Sequence, residues 1–215
     1  MSSLQSWTPR PSNAARIERE DTFAFHMERT AVINRSLPTV LAFGGWTLIM
    51  LSQAYAARTV FQRTNQPGSR RALALHWVMS LIQAYAILHP AVLAANVRAV
   101  GLGLLALSLA LLWWSIKHTR GAGLGIAFAG VLPNRIVQTG PYRAIRHPFY
   151  VSYILSWVST PFLSGWWLTA AIPAAMAAVY LAAARAEERE FNASALASDY
   201  QRYSARAGML WPRFR

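Results

Sequence analysis

The sequence contains no cysteine, a single lysine (Lys117) and only eight acidic residues in 215. The missing thiols exclude a disulfide scaffold, a thiolate metal site and a cysteine nucleophile together. Charged residues make up 13% of the chain, where a soluble domain carries nearer a quarter. What fills the chain instead is apolar: 54% hydrophobic residues and a mean hydropathy of +0.24. Such a chain has too much apolar surface for intrinsic disorder or for an ordinary soluble domain, and its place is a bilayer. The 21 Lys and Arg, giving a formal net charge of +13, are then read as loop residues held against anionic lipid, with no nucleic-acid partner.

A membrane-spanning helix needs about 20 apolar residues. Four stretches lack any charged side chain: 37–57, 72–97, 99–116 and 147–184. The last, 38 residues long, is too long for one crossing and sufficient for two. Pro161, Ser164 and Gly165 supply a turn, with Trp166 and Trp167 at the interface. The fold class this predicts is all-α: an integral membrane bundle of about five transmembrane helices, with a C-terminal hairpin and a cytoplasmic C-terminal helix. It divides into a tail over 1–36, three spans over 37–116, and a loop, hairpin and final helix over 117–215. Within the tail, residues 16–29 read either as an interfacial helix carrying Phe23, Phe25 and Met27 or as a solvated segment. Loops on one side of the five-span arrangement hold fifteen Lys and Arg, and on the other, the tail aside, only Arg98. The positive-inside rule therefore places the loop after the third span and the C-terminus in the cytoplasm. A bacterial inner membrane suits so compact and Arg-rich a chain, and no apolar leader is visible in the first 36 residues.

The chemistry-bearing residues collect at the two mouths of the hairpin. One mouth reads Gly140-Pro-Tyr-Arg-Ala-Ile-Arg-His-Pro-Phe-Tyr150. Pro148 suits the first turn of a helix, which places Arg146 and His147 beside a helix N-terminus, where free N–H groups favour an anion or polar ligand. The plainer reading makes Arg143 and Arg146 lipid-phosphate anchors and His147 a helix cap. At the other mouth stands Arg185-Ala-Glu187-Glu188-Arg189-Glu190-Phe191, three of the eight acids within four residues. A short turn on the far side of the membrane returns the two mouths to one face, so acids and the Arg-His pair meet in one pocket, unless the acids merely form a solvated face.

These segments resemble the membrane methyltransferases of the isoprenylcysteine carboxyl methyltransferase and phospholipid methyltransferase superfamily. The resemblance runs from Gly101 onward. It rests on Gly140-Pro-Tyr-x-x-x-Arg-His-Pro-x-Tyr150, on Glu187-Glu188-x-x-Phe191, and on Tyr200-x-x-Tyr203 followed by Pro212. It implies S-adenosylmethionine as cofactor, bound by Asn134, Arg135, Ile136, Val137, Tyr142, His147, Pro148, Phe149, Tyr150, Glu187 and Glu188, with no metal. It implies as partners the membrane lipids and a lipophilic or lipid-linked acceptor entering between spans, most simply for carboxyl or other O-methylation. Phospholipid N-methylation, a reductase or a non-catalytic relative are the alternatives.

Two departures bear on the acceptor. The carboxyl-methylating branch has an arginine four residues before the paired acids, where this chain has Ala183. Arg185 lies two residues on, about 200° around a helix, leaving Arg146 and Arg185 as the residues to orient an acceptor. The stretch between Phe191 and Tyr200 is also one residue longer than the family's and lacks its glycine. Elsewhere, His76 and His89 have no neighbours at metal-ligand spacing, His118 reads as a phosphate-contacting loop residue, and Gly101 and Gly103 read as helix-packing positions.

Overall fold

Pro38 does not stop the first helix: α1 runs from Asn13 to Thr59, 47 residues with the proline inside it. The computed structural model describes residues 13–62, 65–125, 127–133 and 135–213, with side chains from Ser36 onward. The side chains of Phe23, Phe25 and Met27 lie outside the described residues. The chain divides into two units, Met1–Val40 and Leu41–Arg215, and everything below concerns the second.

Among the described residues four helical segments are long and apolar enough to cross a bilayer: Ser36–Thr59, Pro67–Leu88, Ala95–Thr119 and Trp167–Asn192. The second of these is α2 (Pro67–Leu88) and the third α3 (Ala95–Thr119). The expected span over 72–97 is thereby corrected, since α2 ends at Leu88. Pro90 has no N–H to donate and disfavours helix at the residue before it, so the chain leaves the helix before reaching 97. The hairpin is present as α4 (Pro148–Ser164) and α5 (Ala171–Asn192), joined through one 3₁₀ turn at Trp167–Ala170. With 17 residues, α4 stands at the short end of the range of about 17–25 that spans hydrocarbon.

The turn differs from its expected form in one respect. Pro161 lies inside α4 and the helix continues past it; Gly165, at φ 74°, is the left-handed residue that ends it, its N–H donating to the Pro161 carbonyl at 2.9 Å. At the same end the Ala91 N–H donates to the Ser164 carbonyl at 2.7 Å and the Trp166 indole to the His89 carbonyl at 2.7 Å.

Helices α3 and α4 make the closest pair, because small residues line their seam. A Cβ on Gly101 would stand 2.8 Å from the Leu163 side chain, and the Ser108 hydroxyl donates across the seam to the Ser152 carbonyl at 2.7 Å. Gly103 does not share this role, since nothing lies within 4 Å of its added Cβ. Around the seam the core is fully buried Leu112, Ile116 and Trp157.

At the opposite end of the bundle two short strands pair in parallel, β1 (Phe61–Gln62) and β2 (Leu124–Gly125). The Gln62 amide donates to the Gly123 carbonyl at 2.7 Å, and Ser69 to the Ala127 carbonyl at 2.7 Å. The loops after α1 and α3 are thus tied together beside the start of α2. A final helix, α6 (Ala197–Ser204), follows α5 after a four-residue turn, where the sequence is one residue longer than the family pattern.

The C-terminal tail closes this end by pairing with the loop before α4. The Arg146 and His147 N–H groups donate to the Gly208 and Met209 carbonyls at 2.8 and 3.1 Å, and the Gly208 N–H donates to the Ala144 carbonyl at 3.0 Å. A Cβ on Gly208 would stand 1.9 Å from the Trp211 carbonyl oxygen. Gly208→Ala is therefore expected to lower stability by about 2 kcal/mol, the scale of overpacking that forces backbone to move. Thermal unfolding in detergent measures the loss, and cleavage of the tail by a protease should accelerate with it.

Candidate functional site

Gly140 has φ 60°, and a Cβ there would stand 2.3 Å from the His118 ring. Only glycine allows this turn to sit against α3, and His118 Nδ1 lies 3.1 Å from the Thr139 hydroxyl. His118 is thus a support for the loop. One 3₁₀ turn over Gly140–Arg143 follows, which buries Tyr142. The Tyr203 hydroxyl of α6 donates to the Tyr142 carbonyl at 2.8 Å, fastening the loop to the C-terminal helix.

Pro148 is the first residue of α4, so Arg146 and His147 do flank a helix N-terminus. Their partners are carboxylates from the end of α5. Arg146 Nε donates to Glu188 Oε1 at 2.8 Å and Nη2 to Oε2 at 3.2 Å, a bidentate pair in which both side chains are mostly buried. Its Nη1 donates to the Ser204 carbonyl at 3.0 Å and also to the Ala207 carbonyl. One guanidinium thereby joins the mouth of α4, the end of α5 and the end of α6.

His147 Nε2 lies 3.2 Å from Glu188 Oε1 and Nδ1 lies 3.5 Å from Glu187 Oε2. The imidazole stacks on Tyr150 with centroids 5.6 Å apart and planes 9° from parallel, and the Tyr150 hydroxyl donates to Glu187 Oε1. Burial alone would lower the His147 pKa, but hydrogen bonds and charge from Glu187 and Glu188 outweigh it and raise the group above 6.5. A raised folded value contributes stability that is complete below the unfolded pKa and is lost as pH rises through the folded one. The melting temperature is therefore expected to fall as pH rises above about 6.5, the ordinary histidine value. His147→Gln should flatten that slope in thermal melts, and an unchanged slope would place the titration elsewhere.

These groups form one wall of a cleft of about 710 Å³, counting its open mouth. Of the residues marked in the sequence, Ile136, Val137, Tyr142, Arg146, His147, Phe149, Tyr150 and Glu187 line it. Glu188 is placed behind them on Arg146, and buried Pro148 is the helix start. Arg135 and Arg185 are exposed and outside the lining, and Asn134 lies outside the described residues. Arg185 is displaced for the reason its spacing gives: Ala183 is fully buried, and two helical positions on carries the side chain to the other face.

The cleft also takes residues that the site reading did not include. Glu190, Phe191, Tyr200 and Tyr203 line it from the far wall, with Phe191 and Tyr200 stacked at 4.3 Å and 3°. Phe61, Leu124, Gly125 and residues 131–133 cover it through the β1–β2 pairing. No local periodicity marks a parallel pairing of two residues with two others so distant in the chain. A second cavity of about 650 Å³, counting open space, lies between the helices and shares Phe61 and Tyr150 with the cleft.

Residues 96–198, the stretch that carries α3, the hairpin and the paired acids, match the sequence model of the family described as phospholipid methyltransferase. No curated protein matches the chain.

Proposed function

We propose, from the match of residues 96–198 to the phospholipid methyltransferase family, that the chain belongs to that family and transfers a methyl group from S-adenosylmethionine to a lipophilic acceptor within the membrane. The observation that carries this reading is the charge balance of the cleft mouth. Glu187 and Glu190 line it with Glu188 just behind, and among the described residues these three carboxylates face one arginine, Arg146, paired to Glu188, and one histidine, His147, shared between Glu187 and Glu188. Such a surplus of negative charge fits a ligand bearing a sulfonium and an ammonium.

The remaining donor set fits as well. Tyr142, Phe149, Tyr150, Phe191 and Tyr200 put aromatic rings in the lining, the kind of surface on which a purine or a cationic sulfur packs. When bound, the cofactor would supply a methyl group on an electron-poor sulfur. The protein's part is then placement: Glu187 and Glu190 hold positive charge, while Arg146 fixes Glu188 and, through it, His147. Alignment of an acceptor against the methyl does most of the catalytic work. The second cavity adjoins the cleft at Phe61 and Tyr150, which suits an acceptor entering from between the helices.

The family description favours one further reading, N-methylation of a phospholipid amine. The rate would then rise toward the amine's pKa, whereas a carboxylate acceptor, ionised above about pH 5, gives a flat profile. The direct test supplies methyl-labelled S-adenosylmethionine to the protein in liposomes made from a total lipid extract. Label in the organic phase is the expected result; its absence, with the protein folded and the cofactor bound, would overturn methyl transfer. We further propose that the C-terminal end faces the cytoplasm of a bacterial inner membrane, on the Arg-rich character of the loops at that end.

A further inference from the structure

Two glutamines face the interior of the helical bundle, and they differ in one respect. Gln83 is satisfied on both sides: its carbonyl accepts from the Trp46 indole at 3.0 Å, and its amide donates to the Ser156 carbonyl at 2.8 Å and to the Thr160 hydroxyl. Gln53, on α1, is 7% exposed, and neither its amide nitrogen nor its carbonyl oxygen has a hydrogen-bond partner among the described residues. Burying an amide without partners is costly, because its hydrogen bonds to water are lost and not replaced. Gln53 lines the second cavity.

His76 of α2 lines the same cavity. Its Nδ1 is 2.9 Å from the Tyr180 hydroxyl, which also accepts from the Trp157 indole at 3.3 Å. An indole only donates, so the tyrosine's own proton has His76 Nδ1 as its acceptor among the described residues. The proton of the neutral imidazole is then on Nε2, the polar atom of His76 left for an occupant. Apart from these groups the walls are apolar or aromatic, Trp77, Tyr153 and Leu73 among them, and among the described residues no Arg, Lys, Asp or Glu lines the cavity.

We propose that this cavity binds an uncharged lipophilic alcohol or phenol, whose oxygen is held by the Gln53 amide and His76 Nε2–H. A hydroxyl can accept from Nε2–H and from the Gln53 nitrogen while donating to the Gln53 oxygen, which gives each of these three atoms a partner. A carboxylate leaves the Gln53 oxygen unpaired and its own charge unneutralised, since Arg146 is committed to Glu188 and two carbonyls and Arg185 lies outside. An ammonium faces Nε2–H, a donor, with no carboxylate in the lining. Naming this occupant as the methyl acceptor rests on the methyltransferase reading; the cavity's choice of a hydroxyl does not.

The test measures saturable binding of radiolabelled dodecan-1-ol, dodecanoic acid and dodecylamine to the full chain in phosphatidylcholine nanodiscs at about pH 7, where the acid and amine are charged. The wild type is expected to bind the alcohol at least about tenfold more tightly than either charged probe. Gln53→Leu and His76→Phe should each weaken alcohol binding by about tenfold, the loss of a hydrogen bond from a buried partner. S-adenosylmethionine binding, measured on the same samples, should be kept in both variants, because neither residue lines the cleft. Equal or tighter binding of the acid or amine by the wild type would overturn the proposal without any variant. So would unchanged alcohol affinity in both variants. Alcohol selectivity in a protein that binds no S-adenosylmethionine would support the cavity assignment while removing the methyltransferase reading.

Discussion

Arg146→Ala is expected to reduce methyl transfer by about a hundredfold and to lower stability by about 3 kcal/mol. The size follows from what the guanidinium holds. It is bidentate to Glu188 and donates to two carbonyls at the end of α6, with a side chain only 11% exposed. Removing it leaves a mostly buried carboxylate without its cation and frees the tail from the mouth of α4. Arg146→Lys should recover little, because an ammonium cannot reproduce a planar fork that reaches both Glu188 oxygens and two carbonyls at once. Methyl-transfer assays and thermal melts on the same preparations give both quantities. A variant that loses activity while keeping wild-type stability would mean that Arg146 touches the substrate and is not a strut.

Glu187→Ala is expected to weaken S-adenosylmethionine binding by about tenfold or more, with a smaller loss of stability than at Arg146. Glu187 lines the cleft, accepts from the Tyr150 hydroxyl and faces His147 Nδ1, and among the described residues no arginine pairs with it. Its charge is balanced only by an imidazole that it shares with Glu188, which leaves it able to attract a cationic ligand. Glu187→Gln keeps the shape and an acceptor for Tyr150 but removes the charge, so an affinity close to that of the alanine variant identifies charge as the operative property. An affinity close to wild type in Glu187→Gln would assign the residue to positioning Tyr150 alone.

The hairpin and its acidic mouth were legible in the sequence because each is signalled locally. A charge-free stretch of 38 residues with Pro, Ser and Gly at its middle is a hairpin by length alone, and Pro148 marks a helix start wherever it falls. The meeting of Arg146 and His147 with Glu187 and Glu188 follows from that geometry. Where the helices end was less legible. Pro161 reads as a breaker by its lack of an N–H, yet Gly165, which can adopt a left-handed conformation, is the residue that ends α4. Pro90, inside an apolar run without charge, had the effect that Pro161 lacks.

The cover of the cleft could not be read at all. Phe61 and Leu124 arrive there by a pairing of two residues with two, too short to leave a pattern of alternating side chains. The meaning of Arg146 also changed. Its sequence position suggests a group for orienting an acceptor, while its contacts spend the guanidinium on Glu188 and the end of α6. His76 had no signal beyond an isolated histidine in a helix, because its partner Tyr180 lies 104 residues away.

The measurement that tests the central claim most directly is equilibrium dialysis of labelled S-adenosylmethionine against the detergent-solubilised protein, wild type beside the Glu187→Ala, Glu188→Ala double variant. The account predicts saturable binding of one cofactor per chain by the wild type and loss of that binding in the double variant, with folding checked by circular dichroism. A folded wild type that binds none, or a double variant that binds as tightly as the wild type, would contradict it.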